Sequence, residues 1–188
     1  MEKEITDSEL IEKFNNEQTK HAAFELILNK FQKQTYWHIR RIVISHDDAD
    51  DILQNTFIKV WENLAKFRGD SKLYTWIYRI ATNESLLFIQ KKKQNFNISI
   101  DDENSEFLSH NLTADNYFDG NQIELKLQQA ILTLPNKQRL VFNMKYYENM
   151  KYEEMSEVLD TSVGALKASY FHAVKKIEDH LKKEINFK

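Results

Sequence analysis

From Phe67 to Lys93 the chain reads FRGDSKLYTWIYRIATNESLLFIQKKK, which sets five aromatics (Phe67, Tyr74, Trp76, Tyr78 and Phe88) among six basic residues. Aromatic faces stack on unpaired bases, and Lys or Arg neutralises phosphates, so these residue types together suit a single nucleic-acid strand. On a helical wheel Leu73, Ile77, Ile80 and Leu87 share an apolar stripe. Beside it Lys72, Trp76, Arg79, Asn83 and Gln90 form a second stripe that mixes charge, ring and amide. The wheel alone also fits an amphipathic core helix with one partly exposed Trp. Taken alone it favours that plainer interpretation, since aromatic stripes at helical spacing are usually buried.

A second candidate lies near the C-terminus, in KYEEMSEVLDTSVGALKASYFHAVKKIEDHL. The pattern predicts a short helix over Tyr152–Leu159, a turn at Asp160-Thr161-Ser162 and a longer helix from Val163 to about Leu181. Asp160 suits the left-handed conformation of such a turn, and Thr161 or Ser162 can cap the second helix. Val163, Leu166, Tyr170, Val174, Ile177 and Leu181 form its inward face. The opposite face carries Gly164, Ala165, Ala168, Phe171, His172 and Lys175, flanked by Lys167 and Lys176. Small residues let a helix sit deep in a major groove, and a ring such as Phe171 suits a thymine methyl. This is the layout of a helix-turn-helix reader of duplex DNA. A plain helical hairpin is the alternative, but it leaves Phe171 and the basic flanks unexplained.

The elements that position these residues follow from composition. With three Gly and one Pro in 188 residues there are few turn residues for sheet, so the expected fold is all-α. The absence of Cys excludes disulfides and Cys-ligated metal. The charged N-terminus lacks a signal-peptide core, and no apolar run reaches the length of a membrane span, so a soluble, intracellular chain without membrane insertion is expected. The six His show no metal-ligand spacing, and no Gly-rich phosphate loop or nucleophile set appears. No catalytic residue, metal or cofactor is therefore expected. The run Asp47-Asp48-Ala49-Asp50-Asp51 could hold Mg²⁺ for pyrophosphate chemistry, as in isoprenoid synthases. That chemistry needs a second acidic cluster and a deep apolar pocket, and neither is evident.

The net charge of −3 is unevenly spread: −3 over residues 1–23, +4 over 24–95, −7 over 96–124 and +3 over 125–188. The segment 96–124 is polar, acidic and aperiodic, and reads as a flexible linker. It separates two helical domains, 1–95 and 125–188, whose relative placement is expected to be loose. In the first, residues 21–44 predict a long helix. Asp47 or Asp48 is expected to cap the next, whose apolar face is Leu53, Phe57, Val60 and Leu64, and Gly69-Asp70-Ser71 breaks it. In the second, Ile123–Leu132 begins a helix, and Pro135 fits the first turn of another with Leu140, Val141 and Met144 as its apolar positions.

DADDILQNTFIKVWENLAKFRGDSKLYTWIYRIATNESL resembles region 2 of the extracytoplasmic-function (ECF) group of the sigma-70 family. LPNKQRLVFNMKYYENMKYEEMSEVLDTSVGALKASYFHAVKKIEDHL resembles region 4 of the same group, in the same order and at a matching separation. The resemblance implies a bacterial cytoplasmic factor that directs RNA polymerase core enzyme to promoter DNA and that an anti-sigma factor can regulate. It implies a polymerase-binding surface at Asp48, Asp51, Gln54, Asn55 and Ile58. It implies a pocket for a flipped −10 base from Phe67, the loop 69–73, Ile80 and Asn83, with Lys72, Trp76 and Arg79 on the adjoining strand surface. In region 4 it places −35 contacts at Lys167, Ala168, Phe171, His172 and Lys175.

The chain departs from the family pattern at several positions. Asp160 stands where Gly is frequent, Ser156 where Ala is common, and Lys151 where Ser often starts a helix, which leaves Asn149 as a possible cap. Ala168 and Ser169 replace a frequent Ser and Arg and thin out polar groups in the groove. A helix-turn-helix regulator with an unrelated N-terminal effector domain is the alternative function. Its N-terminal half would not engage polymerase.

Overall fold

The computed structural model describes residues 5–95 and 122–186, and these hold eight α-helices and no strand. The N-terminal half contains α1 (Asp7–Asn15), α2 (Lys20–Val43), α3 (His46–Asn63), a 3₁₀ turn (Leu64–Lys66) and α4 (Leu73–Asn95). The C-terminal half contains α5 (Gln122–Leu132), α6 (Asn136–Tyr146), α7 (Tyr152–Leu159) and α8 (Val163–Asn186). Most of the predicted linker, residues 96–121, lies outside the described residues.

The composition analysis did not anticipate α1. Its signal is local: Thr6 and Glu9 form a capping box, in which the Glu9 N–H donates to Thr6 Oγ1 (3.3 Å) and the Thr6 N–H donates to Glu9 Oε2 (2.8 Å). Leu10 and Phe14, one turn apart, are then buried against Ala23, Ile27 and Phe31 of α2 and against Val60 and Leu73. Farther along the bundle, Ile39, Ile42, Ala49, Ile52 and Ala81 continue the core.

Ser45, not Asp47 or Asp48, caps α3: its Oγ accepts from the Asp48 N–H at 3.3 Å, and both aspartates fall in the first turn, at the positive end of the helix dipole. Pro135 is the cap residue of α6 rather than its first helical residue. Lys151 occupies the cap position of α7, where its N–H donates to Glu154 Oε2 (3.1 Å), while Asn149 takes a positive φ of 49° in the preceding loop.

The apolar stripe on α4 also needs correcting. Its inward face is Leu73, Ile77, Tyr78, Ala81, Ser85 and Ile89. Ile80 is only partly buried, and Leu87 is 48% exposed. Counting large apolar residues rotated the wheel away from Ala81 and Ser85, whose small side chains allow close helix approach. The Ser85 hydroxyl is satisfied by the Ala81 carbonyl at 2.8 Å, so it is buried without an unpaired group.

The two halves touch, which the linker's composition did not suggest. Tyr78 of α4 packs with Val141 and Met144 of α6 and with Met155 and Val158 of α7. Leu140 joins the N-terminal cluster. At this seam the buried His38 ring stacks on Tyr78, with Nδ1 3.0 Å from Glu148 Oε1 and Nε2 2.8 Å from Thr82 Oγ1.

Candidate nucleic-acid interface

Gly69 ends the α3 arm with φ +76°, a left-handed backbone that an L side chain rarely adopts, and so turns the chain into α4. Asp7 of α1 secures the entry: its Oδ2 accepts the Leu73 N–H at 3.0 Å, satisfying an otherwise orphan donor of the first turn. The turn brings Phe67 against Trp76, with ring centroids 5.2 Å apart. Both rings are partly exposed, so each keeps a face for stacking.

The mixed stripe predicted on α4 faces outward: Lys72, Arg79, Asn83 and Gln90 are exposed and Trp76 is partly so. Trp76, Ile80 and Asn83 of α4 meet Lys59, Asn63 and Lys66 around a cavity of about 410 Å³. Lys59 pairs with Glu84 at its edge (2.5 Å). One side of the cavity is ring and aliphatic surface, and the other is amide and ammonium. That combination can stack a base and hydrogen-bond its edge. A second cavity of about 460 Å³ adjoins it beyond Trp76 and Arg79, walled by Phe67, Arg68 and Ser71. The predicted −10 residues are thus brought together: Phe67 and Arg79 line the second cavity, Ile80 and Asn83 the first, and Trp76 both. Lys72 lies beside them at the start of α4. Sequence reasoning missed Lys59, Asn63 and Lys66, which come from a different helix and its 3₁₀ extension and are contiguous with α4 only in space.

The predicted polymerase surface lies on α3. Asp51, Gln54, Asn55 and Ile58 are all exposed, Ile58 at 55%. Ile58 thus stands on the surface among two amides and a carboxylate. Asp48 differs: it is partly buried and bound by Lys92 Nζ of α4 at 2.6 Å.

In the C-terminal half, Asp160 takes φ 49°, ψ 48°, the left-handed turn conformation read from its position. Ser162 Oγ then accepts the Ala165 N–H (3.3 Å) at the start of α8. Leu166, Ala173 and Ile177 face the core, while Lys167, Ala168, Phe171, His172 and Lys175 are exposed, Phe171 at 65%. Phe171 meets His172 edge-on, with centroids 5.6 Å apart. Lys167 Nζ lies 5.7 Å from the Tyr152 ring of α7, within cation–π range. All five predicted −35 residues therefore share one solvent face.

No helix among the described residues is long and apolar enough to cross a membrane, and no group of His, Asp or Glu there could hold a metal ion. Sigma-70 region 2 matches residues 27–95, and sigma-70 region 4 matches residues 124–177. The ECF RNA polymerase sigma-E factor of Haemophilus influenzae is 29% identical over 188 residues, covering 96% of this chain and 98% of that one. The RNA polymerase sigma-H factor of Pseudomonas aeruginosa is 29% identical over 182 residues, covering 93% of each. Among solved structures, the sigma factor RpoE in complex with the anti-sigma factor NepR from Bartonella quintana has a TM-score of 0.66 at 18% identity, covering 85% of this chain and 96% of that one. CnrH in complex with the cytosolic domain of CnrY also has a TM-score of 0.66, at 19% identity, covering 93% and 95%.

Proposed function

The chain belongs to the sigma-70 family, in its ECF group, and from that premise we propose how its surfaces divide the work of starting transcription. It is an initiation factor that directs RNA polymerase core enzyme to promoters. Sigma factors are generally non-enzymatic, so its residues bind and position rather than catalyse. It works in the bacterial cytoplasm, where its relatives' polymerase acts.

Residues 1–95 form the polymerase and −10 module, and residues 125–188 the −35 module, joined by the acidic segment 96–124. The exposed α3 patch of Asp51, Gln54, Asn55 and Ile58 docks on the polymerase, with Asp48 as a structural anchor at its edge. Phe67, Lys72, Trp76, Arg79, Ile80 and Asn83 take the unpaired −10 strand, and one extruded base enters the cavity beside Asn83. Extruding a base costs a few kcal/mol, which stacking on Trp76 and pairing with an amide can offset. The exposed face of α8 reads the −35 duplex, with Ala168 and Phe171 against base edges and Lys167, His172 and Lys175 nearer the phosphates. An anti-sigma factor regulates it, on the precedent of RpoE with NepR and CnrH with CnrY.

The observation that carries this assignment is the outward stripe of α4 above its cavity, in the same chain as the free face of α8. The test is reconstitution. Added to core polymerase, the purified chain should co-elute with it and give initiation at a defined site that core alone does not use. Tight, dimeric binding to duplex without polymerase, and no gain in transcription, would favour a helix-turn-helix regulator.

A further inference from the structure

α1 contributes nothing to the −10 stripe or to the α3 patch, yet it holds the loop between α3 and α4 at both ends. At one end Leu10 and Phe14 are buried in one cluster with Leu64, and α1 packs on the 3₁₀ turn that leads into Phe67. At the other end Asp7 Oδ2 accepts the Leu73 N–H at 3.0 Å, from 66 residues away. The residues between, Phe67, Arg68, Asp70 and Ser71, wall the cavity that Trp76 and Arg79 share.

The loop carries two ordinary capping residue types of its own, and both are engaged elsewhere. The Asp70 carboxylate pairs with Arg68 at 3.1 Å, and the Ser71 hydroxyl donates to the Lys72 carbonyl at 3.4 Å. The start of α4 is set instead by a carboxylate on another helix, placed at the positive end of the α4 dipole. That carboxylate is held in turn, since Lys30 Nζ of α2 donates to Asp7 Oδ1 at 3.3 Å.

We propose that α1 is a clip on the −10 reading loop and that Asp7 is a positioning residue for base choice. The inference rests on the promoter assignment above. Lys72 and Trp76 flank the capped turn, and the Trp76 N–H donates to the Lys72 carbonyl at 3.1 Å. A first turn without its cap frays and lets both residues shift against Phe67, whose ring centroid lies 5.2 Å from that of Trp76. A binding site discriminates only while its walls keep their positions. A loosened loop therefore admits wrong bases, while the polymerase surface on α3 stays as it is.

Hydrogen exchange tests the clip on the unmodified chain. The Leu73 N–H is a first-turn donor with no acceptor in its own helix. Held by Asp7, it should exchange roughly tenfold or more slowly than an unstructured amide; exchange at the unstructured rate overturns the clip. This readout needs no variant, so it stands even if Asp7→Ala does not fold. Base choice is then read with reconstituted polymerase on templates melted at −10, as initiation from the preferred −10 base relative to the other three, with co-elution measured alongside. Asp7→Ala should lower that ratio several-fold and leave co-elution and dependence on the −35 element unchanged. Asp7→Asn should keep the ratio, because its amide oxygen still accepts the Leu73 N–H. Ser45→Ala removes a comparable cap from α3 without touching the loop, and should also keep it. An unchanged ratio in Asp7→Ala, or an equal loss in Asp7→Asn or Ser45→Ala, overturns the clip alone. A natural chain that neither co-elutes nor initiates at a defined site overturns the promoter assignment, and the clip with it.

Discussion

Asn83 stands exposed at the rim of the α3–α4 cavity, one helical turn from Arg79 and beside Ile80. Its amide can donate to and accept from a base edge, whereas the cavity's other amide, Asn63, already donates to the Lys59 carbonyl at 2.9 Å. Asn83→Ala should cost about 1–3 kcal/mol in discrimination at one −10 base, as expected for loss of a paired contact. Polymerase binding and duplex affinity should stay unchanged, since those surfaces lie elsewhere. On α8 the two kinds of contact separate in the same way. Lys167→Ala should weaken all duplexes and lower the salt slope by about one. Phe171→Ala should instead relax preference at particular −35 bases. A uniform loss across base substitutions for Phe171→Ala would assign that ring to general packing on the backbone. These residues were legible in the sequence because a mixed stripe or an exposed ring at helical spacing is visible on one helix. Lys59, Asn63 and Lys66 were not, because their contribution depends on how α3 crosses α4.

Helix ends show the same division at the scale of elements. The left-handed Asp160 and the cap at Ser162 followed from residue type and position. Ser45 was passed over for the aspartates beside it, since all three are good caps and only the backbone decides which one precedes the first turn. Ser45→Ala should therefore lower stability by about 1 kcal/mol, measured by denaturant unfolding, with little effect on promoter choice. The face of α8 was legible from large apolar residues apart from the buried Ala173, whereas α4 misled because Ala81 and Ser85 hold its inward face. The α7–α4 contact should depend on pH in a defined direction. Burial would raise the Glu154 carboxyl, but hydrogen bonds from Lys72, Tyr74 and the Lys151 N–H outweigh it and hold the group below its ordinary 4.5. A depressed carboxylate contributes stability that is present above the ordinary value and lost as pH falls through the lowered one. The halves should thus separate more readily below about pH 4.5, seen as an increase in the radius of gyration before the helices melt. Closure that strengthened with acid would contradict the role given to Glu154.

At the scale of the molecule, the all-α fold was readable from few turn residues, and the proposed division into a strand-binding half and a duplex-binding half rests on segregated charge and two motifs. The packing of the halves was not. Tyr78, Leu140 and Val158 look like ordinary core positions of their own helices, and only the assembled chain shows them meeting across the seam. The central claim is that α4 reads an opened −10 strand while α8 reads −35 duplex, and one assay separates the two. Transcription by the reconstituted polymerase is measured on duplex templates and on templates permanently melted at −10, each with a panel of −10 bases, for the natural chain and for Asn83→Ala. The natural chain should show the same base preference on both templates, and Asn83→Ala should lose that preference on both while keeping its dependence on the −35 element. A base profile unchanged by Asn83→Ala on either template would contradict the account.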